Sequence, residues 1–194
     1  MIAKVLAFDT TAAHCAACLI LGDQVVVRVD PMAKGQAEHL MPMLDAILAD
    51  NALTWADLDA IGVGTGPGNF TGIRISVSAA RGLALGLRIP AVGVTHLEAQ
   101  VHGVPRPVTA QVPAPRGQVY VQDFADEIST PQLVPADDPR AIAAPAFITP
   151  EQMIRNIAAI AQDRASGSPA RPAPLYVRSP DAAPPRDAAP VLLP

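Results

Sequence analysis

Apolar and polar positions follow two different periods along this chain, and the switch between them marks its elements. Lys4–Thr10, Ala13–Leu21 and Gln24–Asp30 are near-continuous runs rich in Val, Leu, Ile and Ala, the pattern of strands. Short breaks at Thr11-Ala12 and Gly22-Asp23 predict tight turns and an antiparallel meander. Leu40, Leu44, Ile47 and Leu48 then recur at helical spacing, with Glu38, Asp45 and Asp50 elsewhere around the wheel. Proline suits a first helical turn, so Pro42 places the helix start near Glu38 or His39. Thr54-Trp55-Ala56-Asp57 has the spacing of a capping box for one short turn. A strand over Ala60–Gly64, a helix over Thr71–Leu87 and a strand over Ala91–Val94 complete the first half. Three hairpin-linked strands followed by crossovers describe a ribonuclease-H-like or actin-like α/β lobe.

The second half is patterned differently. Ten of the thirteen glycines lie before residue 100, and seventeen of the twenty-one prolines lie after it, so the chain changes character there. Val108–Val112 and Val119–Phe124 are expected to pair as strands around Arg116-Gly117. Pro150–Arg164 predicts a helix, started by Pro150, with Ile154, Ile157, Ala158 and Ala161 forming its stripe. Pro174–Arg178 predicts one more strand. From Pro180 the proline- and alanine-rich composition predicts an extended tail. The expected division is an actin-like lobe over 1–103, a smaller α/β lobe over 104–179 and a tail over 180–194.

The most informative stretch is Gly64-Thr65-Gly66-Pro67-Gly68-Asn69-Phe70-Thr71-Gly72-Ile73-Arg74. Its glycines permit positive φ and close backbone approach, and Pro67 removes an N–H. A strand, a glycine turn and a helix N-terminus in that order can form an anion site. The spacing matches neither the dinucleotide fingerprint nor the P-loop, since no Lys follows the last glycine. A tight structural turn and a phosphate-facing loop both remain open on these residues.

The same stretch resembles the signature of the TsaB family, the partner subunit in bacterial tRNA threonylcarbamoyladenosine synthesis. Leu6-Ala7-Phe8-Asp9-Thr10-Thr11 is similar to that family's first strand, and Glu38-His39-Leu40-Met41-Pro42-Met43-Leu44 to its first helix. Arg81-Gly82-Leu83-Ala84-Leu85-Gly86 and Pro90-Ala91-Val92-Gly93-Val94-Thr95 match the following helix and strand. The likeness is ordered across 4–98 and thins to Gly117-Gln118-Val119-Tyr120 and Pro174-Leu175-Tyr176-Val177-Arg178. It implies an actin-like fold whose second lobe is trimmed relative to the family. It also implies a non-catalytic subunit that pairs with TsaD, with TsaE as a further component and a homodimer when alone. Together they would support threonylcarbamoyl transfer to adenosine 37 of tRNAs reading codons that begin with A.

Charge bears on how such a protein meets RNA. The formal net charge is −4, and only two of the basic residues are lysines. Phosphate neutralisation supplies most nucleic-acid affinity, so a chain without a basic stripe is expected to reach tRNA only through a partner. No apolar run reaches membrane-spanning length, and Met1-Ile2-Ala3-Lys4 leads straight into a strand pattern, so a cytoplasmic location is expected. Cys15 and Cys18 lie on one strand, where residues three apart face opposite ways. That arrangement suits buried small side chains better than a disulfide or a shared metal.

Catalytic constellations are thin. Asp9 and Thr10, with Gly66 and Gly68, are weak candidates for a nucleotide site, Asp9-Thr10-Thr11 standing where actin-like ATPases place a phosphate turn. TsaB relatives carry Asp-Ala-Arg before the second hairpin, where this chain has Pro113-Ala114-Pro115, with Gln118 replacing a Glu. No second carboxylate remains to share Mg²⁺ with Asp9, so ATP and metal are expected in the partner. Asp9 is otherwise a strand-end turn former. His96 resembles one half of the metal-binding His pair of TsaD, but Gln100 occupies the partner position. His14 and His39 read as surface or interface residues. An actin-like ATPase or small-molecule kinase is the alternative reading, and a peptidase acting on the partner fits least, since no nucleophile–base pair is visible.

The two helices point to association. The Thr71–Leu87 helix is small and apolar on nearly every face, with Ser76, Gly82 and Gly86 allowing close approach, and Met41 and Met43 lie off the first helix's core stripe. The resemblance places the partner interface at His39, Met43, Arg74, Val77, Ser78, Arg81 and Gly82.

Overall fold

The computed structural model describes residues 4–177. Strands β1 (Lys4–Asp9), β2 (His14–Leu21) and β3 (Gln24–Pro31) form the expected meander, and β4 (Ala60–Gly64) and β5 (Ala91–Val94) extend it in the order β3-β2-β1-β4-β5. β1 runs antiparallel to β2 and parallel to β4, and β4 parallel to β5. Gly22, with φ +64°, turns the two-residue loop that sets Leu21 opposite Gln24.

Strand alternation divides this sheet into two apolar faces. Leu6, Phe8, Cys15, Ala17, Leu19, Ile61 and Val63 face helices α1 (Gln36–Ala49) and α2 (Phe70–Leu87). Val5, Ala7, Ala16, Cys18, Ile20, Ala60, Val92 and Val94 face a helix from the far end of the chain, whose Ile154, Ile157, Ala158 and Ala161 seal that side. Cys15 and Cys18 lie in different cores, and burial pushes both thiols up to about 11.

A short helix α3 (His96–Gln100) leads from β5 to a second sheet of β6 (Val108–Ala114), β7 (Gln118–Phe124) and β8 (Gln132–Pro135), all antiparallel. β8, α3 and the short helix α4 (Pro139–Ala143) carry no pattern long enough to mark them in the sequence. The long helix α5 (Pro150–Arg164) has the predicted bounds.

Two expectations are corrected and a third is met. Helix α1 starts at Gln36, two residues early, so Pro42 lies well inside it and costs the bond that an N–H there would make to the Glu38 carbonyl. The capping-box segment is a 3₁₀ turn at Trp55–Asp57, with Thr54 and Asp57 bonded reciprocally as predicted. Pro174–Val177 is not a strand, and its Pro174 has no N–H to give a ladder. It lies as a strap, with Leu175 N donating to the Thr65 carbonyl at 2.8 Å. Arg178 and the predicted tail lie outside the described residues. Among those described, no helix is long and apolar enough to cross a membrane.

Candidate functional site

The parallel register of β1, β4 and β5 brings their C-terminal ends together, and with them three segments remote in sequence. The turn after β1 presents Asp9, Thr10 and Thr11. The loop after β4 is the glycine-rich stretch, and the residue opening α3 is His96.

Each loop glycine answers to a neighbour in this chain. A β-carbon on Gly64 would lie 2.2 Å from Asp9 Oδ1, one on Gly68 2.6 Å from the Thr11 carbonyl, and one on Gly72 2.0 Å from the Thr10 carbonyl. Gly66 has φ +91° and would press a β-carbon to 2.7 Å from Ile73 Cδ1. Asn69 N donates to the Thr11 carbonyl at 2.7 Å, Thr10 Oγ1 donates to the Gly72 carbonyl at 2.7 Å, and His96 N donates to the Gly66 carbonyl at 2.8 Å. The Asn69 side chain caps α2 by accepting from Gly72 N. The loop is therefore wrapped around the Asp9–Thr11 turn, which favours the structural-turn alternative. The sequence predicts positive φ at both Gly66 and Gly68 with Pro67 trans, and two details differ. Gly68 is required by space and not by a positive φ, and the Gly66–Pro67 peptide is cis, which the tertiary amide of proline permits.

Asp9 is more than a turn former. Its carboxylate is buried and accepts from Thr11 N at 3.2 Å and Thr11 Oγ1 at 3.0 Å. His96 Nε2 lies 3.0 Å from Oδ1 and His14 Nε2 lies 3.3 Å from Oδ2. Burial alone would raise the Asp9 carboxyl, but the two imidazoles outweigh it and hold the group well below the usual carboxylate range. Sequence reasoning placed His14 on the surface and left His96 alone. The structure joins both to Asp9, because the β1–β2 turn folds His14 back and the parallel register delivers His96 from 87 residues away. Gln100 spends its amide on the 146–148 loop, donating to the Ala146 carbonyl and accepting from Ile148 N. Among the described residues, no group of three His, Cys, Asp or Glu is arranged to hold a metal ion.

Above this cluster lies a cleft of about 400 Å³ between the two sheets. Pro113, Ala114 and Pro115 form its far wall, opposite Thr11, Gly68 and His96. Among the described residues, no Lys, Arg, Asp or Glu lines it.

The predicted interface residues separate into two sets. Met43 and Val77 are core, 1% and 3% exposed, which corrects the placing of Met43 off the core stripe. Met43 continues the run Leu40, Leu44, Ile47, and Val77 the run Ile73, Ser76, Ala80, the i, i+3, i+4 spacing of a buried face. Ser76 likewise faces inward, bonding the Gly64 carbonyl. His39 is half-buried, with Nε2 2.6 Å from Asp30 Oδ2. Arg74, Ser78, Arg81 and Gly82 are exposed along one side of α2, with Leu85 beside them at 75% exposure. Arg74 stacks 3.8 Å over Phe70 and donates to the Tyr176 hydroxyl at 3.0 Å, a contact with the strap that sequence reasoning missed.

Comparisons with known proteins agree with this architecture. The family model of tRNA N6-adenosine threonylcarbamoyltransferase (TsaD) matches residues 31–174. An uncharacterised protein of Mycobacterium bovis is 37% identical over 204 residues, spanning 94% of this chain and 95% of its own. The Escherichia coli tRNA threonylcarbamoyladenosine biosynthesis protein TsaB is 32% identical over 126 residues, covering 62% of this chain and 54% of that protein, so the match spans about half its length. A Pseudomonas aeruginosa structure, described as an uncharacterised protein similar to peptidase YeaZ, superposes with a TM-score of 0.72 at 22% identity, over 91% of this chain and 100% of that one. That likeness shows the fold.

Proposed function

The chain belongs to the TsaB (YeaZ) family, and from that premise we propose that it is a non-catalytic subunit which pairs with a TsaD homologue. In this reading the complex transfers the threonylcarbamoyl group to adenosine 37 of tRNAs reading codons beginning with A. The partner supplies ATP, the metal and most tRNA contacts, TsaE joins as a further component, and the assembly works in the cytoplasm.

The observation that carries the proposal is the charge division of the α1–α2 face. Helix α1 contains Glu38 and Asp45, both exposed, and no Lys or Arg. Helix α2 contains Arg74 and Arg81, both exposed, and no Asp or Glu. The helices lie side by side over one core, and a two-fold arrangement that sets α1 of one molecule against α2 of the other brings opposite charges together. A second copy satisfies that geometry, and so does a partner built on a related fold. Exposed Leu85 gives the face an apolar anchor, beside a groove of about 430 Å³ between the end of α2 and Pro169–Pro172 that Arg81 and Arg171 also line.

The site chemistry supports the non-catalytic part. Thr11 Oγ1 lies 3.0 Å from Nε2 and 3.3 Å from Nδ1 of His96, but it donates its proton to Asp9 Oδ2 at 3.0 Å and not to an imidazole base as a peptidase relay requires. Among the described residues, no Lys or Arg lines the cleft to meet a triphosphate. Co-expression with a TsaD homologue tests the reading: a stable heterodimer with tRNA modification activity is expected, and a chain that neither co-purifies nor supports modification overturns it.

A further inference from the structure

The cleft above Asp9 lies apart from the α1–α2 face, and the glycine turn forms one of its rims. Pro67, Pro113, Pro115, Tyr120, Ile148 and Met153 give it apolar walls, and Thr11, His14 and His96 form its polar floor. Its volume of about 400 Å³ falls in the range of small-molecule sites.

Charge narrows what it can take. A phosphate or carboxylate entering there would approach the Asp9 carboxylate with no Lys or Arg, among the described residues, on the walls to meet it. The long helices α2 and α5 begin at the mouth, but Asn69 and Thr149 cap them internally and Glu151 occupies the first turn of α5. Hydrogen-bond polarity narrows it further. A carboxylate only accepts, so Nε2 of His14 carries the proton that faces Asp9. In the neutral ring Nδ1 is then an acceptor, and the described residues give it no partner.

We propose that the inter-sheet cleft binds an uncharged, flat, mainly apolar small molecule that donates an N–H to the His14 edge, of the class of an aromatic carboxamide. The ligand lies between the proline walls and Tyr120, and no bond is made or broken. This site is independent of the α1–α2 face, so it stands whether or not the chain pairs as proposed above.

The test is a titration of the ¹⁵N-labelled chain with benzamide, benzoate and phenyl phosphate, which share a ring and differ in charge. Benzamide is expected to shift the amides of Thr11, Gly68, Asn69 and Ala114 with a dissociation constant on the order of 1 mM. Benzoate and phenyl phosphate are expected to bind about tenfold more weakly or not at all. Ala12→Trp, at an exposed position on the cleft rim, should abolish the shifts while leaving the rest of the spectrum in place. Should that variant misfold, His14→Ala serves instead, with at least a several-fold loss of benzamide affinity. No cleft shift with benzamide at millimolar concentration overturns the proposal. So does tighter binding of either anion, or benzamide shifts that persist with the cleft filled.

Discussion

Gly68 and Thr11 are in contact at a distance that only a hydrogen side chain allows: a β-carbon on Gly68 would stand 2.6 Å from the Thr11 carbonyl oxygen. Both partners are pinned, since the same carbonyl accepts from Asn69 N. Gly68→Val is therefore expected to destabilise the protein by about 1–3 kcal/mol through steric displacement of the turn. Urea unfolding measures this, and a variant with an unchanged midpoint would contradict the structural role assigned to the loop.

Asp9 should give stability a dependence on acid. Its folded carboxyl titrates below the ordinary value of 3.8, because His96 and His14 more than offset the upward push of burial. The folded state then binds fewer protons than the unfolded state in the acid range. The contribution is complete above the unfolded value and is lost as pH falls below it toward the folded one. Asp9→Asn is expected to lower stability at neutral pH by about 1–3 kcal/mol and to flatten the decline between pH 5 and 2. Denaturation across that range decides the matter, and an acid limb identical to wild type would remove Asp9 from the account.

The outer side of α2 offers clean substitutions. A β-carbon on Gly82 meets nothing within 4 Å, and Ser78 is exposed, so neither fold nor core resists a larger group. Ser78→Arg and Gly82→Arg are expected to preserve circular dichroism while weakening both homodimer and heterodimer at least tenfold, about 1.4 kcal/mol. Asp50→Arg, at the end of α1, should weaken neither. Analytical ultracentrifugation with and without the partner reports both assemblies, and retained pairing in both α2 variants would move the interface elsewhere.

Isolated from any partner, the chain is expected to bind tRNA no better than roughly 10⁻⁴ M at physiological salt. The overall charge of −4 gives phosphates no general attraction, and the exposed arginines of α2 are few. Filter binding or fluorescence anisotropy against salt measures it. A submicromolar, salt-sensitive complex of the chain alone would show that it grips RNA directly.

Most of the first sheet was legible because its strands are apolar on both faces and its turns are short. Helix α5 was legible for a related reason, since Pro150 and the Ile154–Ala161 stripe state its start and its buried side. The polar cluster was not legible. His14, Asp9 and His96 carry no common spacing, and only the order β1-β4-β5 places the third beside the first two. Met43 was misassigned although its spacing from Leu40 and Ile47 marked it as core. The strap at Pro174–Val177 escaped because one backbone bond to Thr65 and the Tyr176–Arg74 contact hold it, and neither leaves a periodic trace.

Gly62 of β4 lies so close to α5 that a β-carbon there would stand 2.8 Å from Ala161 Cβ. That tight seat has a consequence for synthesis on the ribosome. All five strands of the first sheet have emerged by Val94, yet the helix that covers one of their faces begins only at Pro150. In the interval Val5, Ala7, Cys18, Ile20 and Val92 stand open to water. The nascent chain therefore passes through a stage with one side of its sheet bare, when a holding chaperone has something to grip. A message broken before α5 yields a product expected to aggregate, however complete its first sheet.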